Sequence, residues 1–184
     1  MGRTKLYDRD ALLDAAMRVF WQRGFADTSV QQLERATGVN KSGLYAEFKG
    51  KEDLYLASLR HYVTQRGAEG LLTAEPPGWS NAESLLQLGP VCGADRKGCF
   101  AINAMREVES LPEEAAQIVA SSQAAMLALL LKNISVEETR MPPKAVAEIV
   151  LIFFSGLCIE MNLSPSPASV KRKVKNFMAM LKTL

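Results

Sequence analysis

Apolar positions recur along this chain at spacings of three and four, and nowhere in a clean two-residue alternation bounded by turn signals. The chain therefore reads as all-α. Residues 9–23 carry the first stripe: Leu12, Ala15, Ala16, Val19 and Phe20 fall on one face, with Asp8 as an N-cap and Gly24 as a stop. A second helix is predicted to start at Thr28, with Gln31 as its capping-box partner and Val30, Leu33 and Ala36 on one face. Gly38 ends it, Val39 plugs the turn, and Asn40 caps a third helix over 41–48. Leu44 and Phe48, four apart, share the buried side of that helix. A fourth helix runs from Lys51 through Leu54, Ala57, Leu59 and Val63 to about residue 66.

Punctuation then changes the picture. Residues 67–80 hold Gly67, Gly70, Gly78 and the Pro76, Pro77 pair, which reads as a loop and as the domain boundary. The division expected is a DNA-binding unit over 1–50, a connecting helix over 51–66 and a second domain over 67–184. Ser80 with Glu83 predicts a helix to about Leu88, and 89–97 looks irregular. Further helices are expected over 99–108 and from a third box, Ser110 with Glu113, to about Lys132, with Pro112 in the first turn. Residues 144–162 are apolar on more than one face, so neighbours must cover that helix on several sides. Pro167 sits at the first turn of a last helix striped by Val170, Val174, Phe177, Met178 and Leu181.

Charge sharpens the division. Residues 1–66 hold 11 Lys+Arg against 8 Asp+Glu, while the whole chain is only +2. A mildly basic first third on a near-neutral remainder suits a nucleic-acid module without requiring one. The first ten residues lack the apolar core of a signal peptide, and the longest apolar run, IVLIFF over 149–154, is too short to span a bilayer. Cys92, Cys99 and Cys158 show no paired spacing, so neither a disulfide framework nor a zinc site is expected. The expectation is a cytoplasmic protein without membrane association. With a single histidine, His61, a metal centre and most acid–base schemes lack parts, and no cofactor and no enzymatic activity are expected. His61 itself reads as surface or packing.

Residues 28–51, TSVQQLERATGVNKSGLYAEFKGK, have the spacing of a helix-turn-helix. Gly38 supplies the positive φ of the turn, and the third helix exposes Lys41, Ser42, Gly43, Tyr45, Ala46 and Lys49. Together with DALLDAAMRVFWQRGF over 10–25 and EDLY after Lys51, this run resembles the N-terminal domain of TetR-family transcriptional regulators. The resemblance is continuous to about Leu59; beyond it, KGCFAINAMREVE over 97–109 resembles a segment of the ligand-binding half of some members.

The resemblance implies a homodimer on double-stranded operator DNA, released by a small-molecule ligand, with the last two helices pairing the protomers. It also implies residue roles. Thr28 would cap the second helix and touch a phosphate, and Asn40, Lys41, Ser42 and Gly43 would open the recognition helix. Tyr45 would give a phosphate its hydroxyl, and Lys51 would bind phosphate at the start of the fourth helix. Lys49 lies on the same face, and the arm cations Arg3 and Lys5 would enter the minor groove, with a disordered solvated tail as the competing reading. Glu47 departs from the aromatic or His of many members. A carboxylate there repels phosphate or accepts from a cytosine amino group, and a solvated surface charge is the plainer reading.

Other candidates carry less. An apolar cavity for a ligand would draw on Trp79, Phe100, Asn103, Met126, Phe153, Phe154 and Met161, with Glu160 as a polar handle; plain core is the competing reading. Cys99, after two cations and at a predicted helix start, would be a redox sensor with Cys92 resolving, set against a buried structural thiol. The basic run over 171–175 reads as a solvated helix face. A helical protein-interaction adaptor is the reading from a different class.

Overall fold

The computed structural model describes residues 7–65, 67–88 and 98–183, and every regular element among them is helical. Two compact units emerge: a head of Met1–Gln65 with Asn103–Val119, and a body of Arg66–Ile102 with Ala120–Leu184. The helix over 51–65 thus groups with the head, and so does a segment from the middle of the chain.

In the head, α1 (Arg9–Arg23), α2 (Val30–Thr37), α3 (Lys41–Glu47) and α4 (Lys51–Gln65) follow in order. The α1 helix buries Leu12, Leu13, Ala16 and Phe20, and α4 buries Leu54, Tyr55, Leu56, Leu59 and Tyr62. Phe20 meets Tyr55 edge to face at 5.0 Å, and Phe25 meets the same ring at 5.2 Å. This edge-on geometry places a positive ring edge on a negative ring face. Leu33, Leu44 and Phe48 close the core beneath the turn.

Two details of α2 differ from expectation. Its N-cap is Ser29, not Thr28: the Ser29 hydroxyl accepts from the Gln32 N–H at 3.3 Å, and the Gln32 side chain accepts from the Ser29 N–H at 2.8 Å. The sequence offers two overlapping boxes one residue apart, and the inward turn of Thr28 selects the second. Ala36 is exposed, and the inner face instead runs from Val30 and Leu33 to Thr37, whose hydroxyl donates to the Leu33 carbonyl.

The body continues with α5 (Ala68–Leu72), α6 (Trp79–Leu88), α7 (Phe100–Ala104), a 3-10 turn over Met105–Ser110, α8 (Glu113–Ile134), α9 (Pro143–Glu160), a second 3-10 turn over Met161–Leu163 and α10 (Pro167–Leu181). The α7 and α8 helices contribute residues to both units. The expected loop over 67–80 contains α5, and the helix expected over 99–108 tightens into 3-10 geometry after Ala104. Helix α6 begins at Trp79, so Ser80 is not its cap. The Trp79 N–H instead donates to Glu137 at 2.7 Å. Pro112 precedes α8, and its carbonyl accepts from the Ala115 N–H.

A buried amide pair holds the α5–α6 connection. Asn133, fully buried, accepts from the Gly78 N–H at 3.0 Å and from Asn81 at 2.8 Å, and donates to the Leu72 and Leu129 carbonyls. Every hydrogen-bonding atom of its amide is engaged, which is the condition for burying one without penalty.

By length and apolar composition Glu113–Ile134 and Pro143–Leu163 also pass as membrane spans. The six-residue run read from sequence understated this. Helix α9 nevertheless buries Val146, Ala147, Val150, Phe154, Leu157 and Cys158 within the body, as a core helix does.

Candidate nucleic-acid interface

The α2–α3 turn is fixed by three devices. Gly38 adopts φ 69° and ψ 6°, a left-handed conformation, and its N–H donates to the Glu34 carbonyl. The Asn40 side chain accepts from the Gly43 N–H at 2.8 Å, and the Glu34 carboxylate accepts from the Lys41 N–H. Val39 is buried as the plug, and a Cβ at Gly43 would stand 2.7 Å from its side chain. Gly43 is therefore required by the packing of the turn, whatever it meets outside.

The outer face carries Asn40, Lys41, Ser42, Tyr45, Ala46 and Lys49, all exposed, with Gly43 half-buried among them. Tyr45 is 45% exposed, high for a tyrosine, and the Lys41 ammonium stands 5.6 Å over its ring. That contact orients two groups, a cation and a phenol, outward from one helix start. Lys49 donates its backbone N–H to Asp53 at 3.0 Å and leaves its side chain exposed.

Three residues singled out in the sequence face elsewhere. Thr28 is 2% exposed and donates its hydroxyl to the Gly24 carbonyl at 2.6 Å; the exposed hydroxyl at this end of α2 is that of Ser29. The Lys51 ammonium points inward. It donates to the Phe25 and Thr28 carbonyls at 2.9 and 3.0 Å and lies 4.3 Å over the Phe25 ring. In the α1–α2 loop the Phe25 carbonyl also accepts from the Thr28 N–H at 3.3 Å, and the ammonium adds a partner to both carbonyls where no helical one is available. Glu47 is neither a solvated charge nor a base reader: it accepts from the Tyr7 hydroxyl at 2.5 Å and from Arg9 Nε at 2.8 Å, with its side chain 8% exposed. The hydrogen bond to Glu47, more than burial, raises the Tyr7 phenol above its ordinary value. Arg3, Lys5 and Cys92 lie outside the described residues.

Two further head residues lie away from the α3 face. Glu107, from the 3-10 turn, accepts from the Phe25 N–H at 2.8 Å and faces Gly24, where a Cβ would meet its carboxylate at 2.7 Å. No local pattern signals a partner 82 positions away. His61 of α4 meets Asp14 of α1 at 2.9 Å, with Asp10 at 3.9 Å. It serves packing, as read.

The ligand candidates divide. Phe100, Met126, Phe154 and Met161 are buried in the body. Phe153 is stacked on Phe177 at 3.7 Å, and Glu160 is paired with Lys173. Trp79 is half-buried, and Asn103 belongs to the head. Cys99 and Cys158 are both fully buried thiols.

Two short helices joined by a fixed turn over a closed core, with a polar helix start facing out, define a helix-turn-helix head. Residues 12–58 match the family model of bacterial regulatory proteins, tetR family. Over those residues the head has the pattern of the family's N-terminal domain. ComR, an HTH-type transcriptional repressor of Escherichia coli (strain K12), is 48% identical over 68 residues, which are 37% of this chain and 32% of ComR. The match thus spans about a third of that relative. Among solved structures, a cysteine-substituted CifR, a TetR family transcriptional regulator complexed with 26 bp double-strand operator DNA, superposes with TM-score 0.83 at 22% identity, over 98% of this chain and 100% of CifR. The reduced form of NemR from E. coli gives 0.78 at 20% identity, over 95% and 94%. At such identity these likenesses extend the TetR-type fold to the whole described chain.

Proposed function

We propose that this chain is a homodimeric DNA-binding transcriptional regulator, a repressor that leaves its operator when a small molecule binds the body. The observation that carries the reading is the α3 face. Lys41, Ser42, Tyr45 and Lys49 stand exposed on a helix start whose turn geometry is fixed from beneath. Cations and a phenol suit phosphate and base edges, and α3 is the element that fits the major groove. The repressor role is supported by ComR, and operator binding by CifR. A regulator of this kind works in the cytoplasm and needs no catalytic centre.

Dimer formation draws on an open apolar face of α9. Ile152 is 71% exposed, Ile159 48%, and Leu163 just beyond is 83%. With the exposed Gly156 they fall at helical spacing on one side, and Met180 of α10 is also exposed. A monomer rarely leaves such a stripe uncovered. The buried apolar side chains of the body, Phe100, Met126, Phe154 and Met161, support a ligand site there, with Trp79, Asn103, Phe153 and Glu160 as further candidates. A ligand can act only through different affinities for the DNA-competent and incompetent states. The redox alternative through Cys99 has less support, since full burial denies an oxidant direct access.

Selection from a random duplex pool tests the reading. A regulator enriches one palindromic sequence, and the enriched duplex binds with affinity that falls steeply as salt rises. No enrichment, or salt-insensitive binding, would leave the protein-interaction adaptor as the better reading.

A further inference from the structure

Carboxylates brace the backbone at both exposed lysines of the α3 face. Glu34, on α2, accepts from the Lys41 N–H at the start of the helix. Asp53, in the first turn of α4, accepts from the Lys49 N–H at 3.0 Å, just past the end of α3. Both acids are half-buried, and neither forms an ion pair among the described residues. Glu47, between them in the chain, differs, because Arg9 meets its charge.

Bracing a backbone N–H does not require a charge. Asn40 does it for the Gly43 N–H with a neutral amide at 2.8 Å. A carboxylate in such a place adds a negative charge beside the face proposed to meet DNA. The exposed cations of α2 and of that face are Arg35, Lys41 and Lys49. The unpaired charges of Glu34 and Asp53 therefore offset much of the local attraction for phosphate. Sequence-independent binding consists of that attraction, whereas a specific complex adds base contacts that depend on how α3 is seated. One like charge about 7 Å from a phosphate costs about threefold in affinity at low salt, even in water. Two heads on one duplex bring the cost to about tenfold. The cost falls on every duplex. The bond from the Lys41 N–H to a charged acceptor is stronger than one to an amide, and it repays part of the cost only where the start of α3 must be held in register.

We propose that Glu34 is a specificity-determining residue, with Asp53 acting in the same sense at the other end of α3. It fixes the start of the recognition helix while repelling phosphate, so it suppresses sequence-independent binding more than binding to the operator. The inference rests on the DNA-binding reading and deepens it.

Glu34→Gln in the full chain tests it, since the amide keeps an acceptor and removes the charge. The probes are the duplex that the wild type enriches from a random pool and random duplexes of equal length. Dissociation constants are measured over a range of salt, with thermal melting of every variant. Affinity for random duplexes should rise about tenfold at low salt, with a steeper salt slope. Affinity for the enriched duplex should rise less than about threefold, so the preference falls by at least about threefold. Asp53→Asn should act in the same direction. Glu34→Ala, which removes charge and acceptor together, should still tighten random binding but weaken the enriched complex below wild type. If Glu34→Ala does not fold, the two amide variants carry the test. Glu69→Gln makes the same charge change at an exposed position outside the head and should leave both affinities within about twofold. Random-duplex affinity unchanged by Glu34→Gln would overturn the inference in favour of a purely structural brace. Equal tightening on both kinds of duplex, or the same effect from Glu69→Gln, would overturn it in favour of net charge alone. A wild type that enriches no duplex removes the DNA-binding reading and this inference with it; the other contrary outcomes remove the inference alone.

Discussion

Replacing Lys51 by Met separates a structural cation from a DNA-binding one. The substitution keeps the stem and removes the ammonium. Two hydrogen bonds go with it, to the Phe25 carbonyl at 2.9 Å and the Thr28 carbonyl at 3.0 Å. Bonds with one charged partner contribute about 1.5–3 kcal/mol each. The ammonium also lies 4.3 Å over the Phe25 ring, which adds about 0.5–2 kcal/mol. Their full sum overstates the effect, because Lys51 is only half-buried and water re-solvates both carbonyls. A net loss of about 2–3 kcal/mol is expected. With a urea slope of about 2–3 kcal/mol/M, the unfolding midpoint falls by about 1 M. The salt slope of duplex binding, measured where the variant is folded, stays as in the wild type, since the ammonium is not offered to phosphate. Lys41→Ala, by contrast, lowers that slope by about 0.9 at little cost in stability. A Lys51→Met protein as stable as the wild type, with a slope reduced by about 0.9, would refute the inward role and restore Lys51 as a phosphate ligand.

Three other outcomes follow from the same geometry. Asn133→Ala strands the Gly78 N–H and the Leu72 carbonyl in the body and should cost about 2–5 kcal/mol in urea unfolding; a loss under about 1 kcal/mol contradicts the buried-amide description. Ile152→Glu with Leu163→Glu should give monomers in sedimentation velocity with helical content intact, whereas wild-type dimers would exclude the α9 face as the pairing surface. Burial, and secondarily the Glu107 carboxylate, raise the Tyr55 phenol above its ordinary 10.0. Above that pH the unfolded chain releases a proton that the folded state keeps. Stability then falls by about 1.4 kcal/mol per pH unit on this account, and Tyr55→Phe flattens that decline. Parallel alkaline profiles for the two proteins would disprove it.

The elements most legible in the sequence were those whose signals are local. The limits of α1, the Gly38 stop, the Asn40 cap and the Pro167 start all follow from residues within one turn of the boundary. Where two local signals competed, as with Thr28 and Ser29, propensity had no means of choosing; the buried hydroxyl bond from Thr28 to Gly24 did. The side chains most easily misread were charged ones. Lys51 and Glu47 sit at positions that suggest phosphate and solvent, yet both satisfy partners between 23 and 40 positions away. Glu107 shows the same limit. Its partner lies in a loop of the head, and nothing in the stretch 97–109 indicates it. The exposed positions Ile152 and Ile159 were legible as part of a helix apolar on several sides, because that pattern depends on one segment alone.

The reading of α3 as a DNA-recognition helix is tested most directly by titrating the enriched duplex and random duplexes of equal length by fluorescence anisotropy, between about 50 and 200 mM salt. The expected result is a preference of at least about a thousandfold for the enriched sequence, a steep loss of affinity with salt, and a clear weakening by Lys41→Ala and by Tyr45→Phe. Equal affinity for every duplex, or affinity unchanged by both substitutions, would contradict it.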